Sequence, residues 1–145
     1  MPLMLTAATS ITFLDSQFVQ LINDILHKSP GDVSNGVILN FRDPNYSAET
    51  GGHHPVEISI DPEGNLQYVT DFSYVGIPPH AELEKELDWD FDCNCFSQDG
   101  RDFDLECGRA LLFLYTRNFC AYFETGVYEV TVTPQSQQPK TIQTT

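Results

Sequence analysis

Between Val37 and Ile60 the chain twice alternates apolar and polar positions with a period of two. Val37, Leu39 and Phe41 alternate with Ile38, Asn40 and Arg42, and after a long connection Val56, Ile58 and Ile60 alternate with Glu57 and Ser59. This is the pattern of half-buried strands. Ahead of it, Phe18, Leu21, Ile22, Ile25 and Leu26 fall at helical spacing, which predicts a helix capped by Asp15 or Ser16 and stopped after Lys28 by Ser29-Pro30-Gly31. Beyond Ile60, DPEGN is turn chemistry, so the chain is expected to fold back along Leu66–Val75 as a hairpin. In that strand Leu66, Tyr68, Thr70, Phe72 and Tyr74 share one face, and the aromatic-rich face is expected to meet the helices.

Leu83 and Leu87 at i, i+4 suggest a short helix over His80–Leu87, followed by an amphipathic strand over Asp88–Phe96 and a turn at Gln98–Arg101. A second long helix is predicted from Glu106 to Glu124, with Gly126 at its end, and a last strand over Val127–Thr133. Antiparallel strands flanked by helices give an α+β class: one mainly antiparallel sheet of about five strands with two long helices packed on one face. A single domain over residues 1–133 is expected, with 1–10 frayed and 134–145 a disordered polar tail.

Charge narrows the function. Seven basic against 21 acidic residues give −14 at pH 7, a field that opposes a phosphate backbone, so no direct nucleic-acid binding is expected and a basic protein partner fits better. No secretory signal or membrane-spanning run is read, which predicts a cytoplasmic protein away from membranes. The four cysteines then read as reduced, small apolar residues. Oligomeric state is not legible.

Candidate chemistry concentrates in the connection after Arg42. Arg42, Asp43, Tyr46, Glu49, His53, His54 and Glu57 form an inventory sufficient for acid–base work or for binding a small ligand. The same residues could bind a metal through His53 or His54 with Glu49 or Glu57, but the adjacent histidines do not readily share one ion, because successive side chains of an extended backbone point to opposite faces. A structural role fits the same residues: an Asx turn at Asp43, a bonded Tyr46 hydroxyl, a tight return at Gly51-Gly52, and Arg42 bridging Asp43, Glu49 or Glu57. No GxSxG accompanies Ser47, the cysteine spacing lacks paired zinc knuckles, and Asp88, Asp90 and Asp92 fail the calcium-loop pattern at its glycine and final glutamate. No metal, cofactor or catalytic residue is assigned. Those three aspartates do form an acidic stripe at ~6.7 Å intervals along a strand, inside a segment from Glu82 to Glu106 with ten acids and two bases.

NFRDPNYSAETGGHHPVEI, with YVTDFSYVG and NFCAYFETGVYEV downstream, resembles a bacterial family of uncharacterised proteins, domain of unknown function family 2787. The resemblance runs from the first helix to Val132. It implies a small intracellular bacterial protein and transfers no catalytic residues. The leading functional reading is a non-enzymatic acidic binding module that engages a basic protein through Asp88, Asp90 and Asp92. The alternative is a small-ligand or acid–base enzyme site on the 42–57 loop.

Overall fold

Asp15 is extended and its carboxylate accepts the Gln17 amide at 3.1 Å, which starts α1, Ser16–Lys28. The predicted stripe buries Phe18, Ile22 and Leu26, and Ser29 is again extended before Pro30. The protein is described here by a computed structural model covering residues 3–5 and 12–136. After α1 come β1 (Val37–Arg42), β2 (Val56–Ile60), β3 (Leu66–Val75), β4 (Glu82–Asp90), β5 (Cys95–Gln98), β6 (Arg101–Asp104), α2 (Arg109–Glu124) and β7 (Glu129–Pro134). All strand pairs are antiparallel, in the order β6-β5-β4-β3-β2-β1-β7. β1 to β6 form a meander, and α2 carries the chain back so that β7 joins the free edge of β1.

The class is as expected, but the sheet has seven strands rather than five. Of the two α-helices among the described residues only α2, at 16 residues, is long; α1 has 13. The two extra strands arise because the expected Asp88–Phe96 strand divides into β4 and β5 and β6 follows across a turn, while the segment expected to be helical over His80–Leu87 instead lengthens β4. There ELEKEL satisfies a period of two as well as an i, i+4 pair, and ten-residue β3 offers a long unpaired edge that decides for strand. The expected Asp88–Phe96 strand is broken by a turn in which Asn94 takes φ 55° and Asp90 Oδ1 accepts the Cys93 amide at 3.0 Å.

Register places Val132, Leu39, Ile58, Val69, Trp89, Phe96 and Phe103 in one row across the sheet, on the face the helices cover. Phe119 of α2 packs edge-on against Phe41 at 4.8 Å and Phe18 of α1 at 5.6 Å, joining both helices to that face. The Trp89 indole donates to the Gly108 carbonyl at 2.9 Å, just before α2. A Cβ at Gly108 would stand 2.6 Å from the Phe96 ring, so only glycine permits this approach.

β3 therefore presents Val69 and Asp71 to the helices, not Tyr68, Thr70 and Phe72 as predicted. Leu66 is buried all the same, because the ladder shifts register between Ser59 and Ile60 and pairs Leu66 with Ile60. Three smaller expectations also change. Residues 1–10 do not all fray: Leu3 and Leu5 are buried and the Leu5 amide donates to Asn23 at 2.8 Å, while the rest of that stretch lies outside the described residues apart from Leu3–Leu5. The domain continues past residue 133, since Pro134 belongs to β7 and Gln135 donates to the Gly36 carbonyl at 2.9 Å; the expected tail from 137 onward lies outside the described residues. Of the cysteines only Cys120 is buried, and Cys93 and Cys107 are exposed.

Candidate functional site

Asp43 closes the loop between β1 and β2. Its Oδ1 accepts the Asn45 amide at 2.9 Å and its Oδ2 the His53 amide at 3.0 Å, the Asx turn expected from sequence extended across to the far side of the loop. These two amides, opposed by burial, hold its carboxyl below the usual range. Within the loop Ser47 and Gly51 exchange backbone hydrogen bonds of 3.3 and 2.9 Å, and Gly52 at φ 138° returns the chain so tightly that a Cβ would lie 3.0 Å from Tyr46 Cα. The Tyr46 hydroxyl accepts the Tyr74 amide at 3.0 Å, and its ring stacks on Tyr74.

Arg42 takes no part in this closure. Alternation along β1 sends it to the helix-free face, exposed and without an ion pair to Asp43, Glu49 or Glu57. Glu49 is exposed at the loop tip, and Glu57 lies on the helix-free face where the Tyr68 hydroxyl donates to it. The seven loop candidates thus divide. Asp43, Tyr46, His53 and His54 converge, and Arg42, Glu49 and Glu57 lie apart from them.

The two histidines diverge to different carboxylates yet line one cavity of about 410 Å³ between the loop and α2. His53 Nδ1 lies 3.4 Å from Asp43, and its ring packs edge-on to Tyr122 at 4.6 Å. His54 Nδ1 lies 2.8 Å from Asp71 Oδ1 and 3.0 Å from Glu86 Oε1. The Tyr115 hydroxyl donates to the other Asp71 oxygen at 2.6 Å. Burial first, then the Asp71 charge, raises the Glu86 carboxyl above its ordinary range. Burial likewise raises the Tyr115 and Tyr128 phenols, which keeps both protonated.

Asp71, Glu86 and Tyr115 escaped the sequence reading for identifiable reasons. Asp71 sits on the β3 face expected to be solvated. Glu86 should alternate to the helix-free side, but a bulge pairs Asp71 with Leu87 and Phe72 with Lys85, leaving Glu86 without a ladder partner and beside Asp71. Two carboxylates and a histidine on one side of the sheet are the only such donor group among the described residues able to hold a metal ion. The signal available was Asp71 itself, a lone acid continuing the apolar face of Val69.

On the opposite face the acidic stripe extends in two dimensions. Register sets Glu57, Thr70, Asp88, Ser97 and Asp102 in one row and Ser59, Tyr68, Asp90 and Cys95 in the next. Carboxylates thus stand on β2, β4 and β6, separated by hydroxyl-bearing β3 and β5, at roughly 10 Å across strands. The intervening hydroxyls orient them: Thr70 donates to Asp88 and Ser97 to Asp102, both at 2.6 Å, and Tyr68 donates to Glu57. Lys85, 3.9 Å from Asp88, is the one cation paired with this array among the described residues. Asp92 departs from the predicted stripe, lying in the turn beyond β4 with Gln67 Nε2 at 3.4 Å.

An antiparallel α+β sheet protein with a helix-covered face, a histidine–carboxylate cavity and an acidic open face is the class these features define. The chain belongs to the family described as protein of unknown function (DUF2787), which it matches over residues 16–133. It is similar to the structure of the hypothetical protein VC0508 from the Vibrio cholerae VSP-II pathogenicity island, with 32% identity, TM-score 0.71, and coverage of 83% of this chain and 93% of that one. It is also similar to the conserved hypothetical protein VC1805 from pathogenicity island VPI-2 of Vibrio cholerae, described as sharing structural homology with the human P32 protein, at 34% identity, TM-score 0.70, and 83% and 94% coverage. No curated protein matches the chain. Among the described residues no helix is long and apolar enough to cross a membrane.

Proposed function

We propose that the protein is a non-enzymatic binding module whose helix-free sheet face engages a basic segment of a protein partner. The observation that carries this reading is the carboxylate array of Glu57, Asp88, Asp90 and Asp102, the first, second and fourth held by hydroxyl donors and Asp90 by the Cys93 amide, with Lys85 the one cation paired with it among the described residues. Fixed acceptors lose little side-chain entropy when a cation arrives, and charge complementarity favours lysine- and arginine-rich sequences over nucleic acid. The whole-molecule charge of −14 steers such a partner from a distance.

A lysine- and arginine-rich peptide tests the reading. Its affinity should fall steeply as salt rises and fall further for Asp88→Asn/Asp90→Asn/Asp102→Asn than for Asp24→Asn/Glu63→Gln/Glu124→Gln, which removes the same charge elsewhere. Equal losses in the two triple variants would reduce the effect to net charge and sink the proposal.

The cavity favours a second reading, a small-ligand site. The Asn118 and Tyr128 side chains line it without a side-chain hydrogen bond among the described residues, beside the paired histidines, so polar groups remain free to meet a ligand.

A further inference from the structure

We infer that His54, Asp71 and Glu86 form an open site for a first-row divalent transition-metal cation, with Zn²⁺ the best fit. This deepens the small-ligand reading of the cavity and is independent of the acidic face. One imidazole nitrogen faces two carboxylate oxygens at 2.8 and 3.0 Å, and the three donor atoms lie within 4.8 Å of one another. Donors of a tetrahedral zinc site stand ~3.4 Å apart, so a small opening of His54 and Glu86 would admit the ion. Both side chains are 34% exposed and can move, whereas Asp71, at 7%, is anchored.

Three further features separate this group from an ordinary ion pair. A single Nδ1–H cannot fully satisfy two carboxylates, and no lysine or arginine pairs with either Asp71 or Glu86 among the described residues. The Tyr115 hydroxyl orients the Asp71 oxygen that faces away from His54, as outer-sphere donors do for ligating carboxylates. Three protein ligands also leave coordination positions free, and the adjoining cavity of about 410 Å³ has room for water or a further ligand there. Imidazole with carboxylate oxygen selects first-row divalent ions over alkaline-earth ions. The β-bulge at Glu86 explains how the group is assembled: without it this carboxylate would project from the opposite face.

The test is calorimetric titration of the metal-free full chain with ZnCl₂ and separately with MnCl₂, following the His54 ring nitrogens by long-range ¹H–¹⁵N NMR. One equivalent of Zn²⁺ should bind with the His54 Nδ1 resonance displaced. Glu86→Gln, which spares the buried Asp71–Tyr115 bond, should weaken binding at least ~10-fold, and His54→Ala should abolish it. His27→Ala and His80→Ala should change it less than about twofold. Absence of saturable binding would overturn the inference. So would binding that survives both Glu86→Gln and His54→Ala, or that is lost only on replacing Cys93, Cys95 and Cys107, which border a separate shallow depression. If Zn²⁺ fails while an organic ligand still perturbs Asn118 and Tyr128, the cavity reading stands and the metal inference alone falls.

Discussion

Asp43 joins both ends of the 43–55 loop through the Asn45 and His53 amides, and the carboxylate that does so is held in its charged form. A carboxyl whose folded pKa is depressed contributes stability that is complete above its unfolded value of ~3.9 and is lost as pH falls through the lower folded value. The urea midpoint should therefore drop more between about pH 6 and about pH 3 in the wild type than in Asp43→Asn; equal drops would contradict this role. Arg42→Ala, by contrast, should leave stability within about 0.5 kcal/mol, because the side chain is exposed and has no ion pair among the described residues. Gly52→Ala should cost more than ~1 kcal/mol, since strain at φ 138° adds to a 3.0 Å clash with backbone, and more than Gly51→Ala, where nothing lies within 4 Å. The Asx turn and the glycine return are legible because each is local chemistry, whereas the partner of the Tyr46 hydroxyl, the Tyr74 amide, lies 28 residues away on β3 and is set by the fold. Local chemistry does not decide Arg42 either, because the parity of β1 sends it to the far face.

At the level of elements, period and capping located α1, β1, β2, the DPEGN hairpin, α2 and β7, whose signals are contained within short windows. Only the Asp88–Asp90 end of β4 is legible as strand, because ELEKEL over Glu82–Leu87 fits both periods and its fate depends on β3 as a partner. The same dependence hid the candidate site. A register shift at Ile60 and a bulge at Glu86 change which side chains face the helices, and neither leaves a mark in the sequence pattern. Packing between elements gives a further test. Phe41 is fully buried against Phe119, so Phe41→Ala should lower stability by ~3–5 kcal/mol in a denaturant melt. Trp89→Phe removes the indole bond to Gly108, for which ~1 kcal/mol is expected.

For the molecule as a whole, sequence supplied the sign and size of the charge, and structure supplies its arrangement. Along the sequence Asp88, Asp90 and Asp92 read as one stripe, which Asp92 leaves for the turn beyond β4. Register reveals acids on alternate strands, with Glu57 and Asp102 drawn in from segments 31 and 14 residues away from Asp88. This face is the proposed landing surface for a basic partner. The most direct test is a ¹H–¹⁵N titration of the full chain with a lysine- and arginine-rich peptide at low salt. Amide shifts concentrated on β2, β4, β5 and β6, fading as salt is added and absent in Asp88→Asn/Asp90→Asn/Asp102→Asn, are the predicted result. Shifts concentrated on α1 and α2 or around His53 and His54, or spread evenly over the surface, would contradict it.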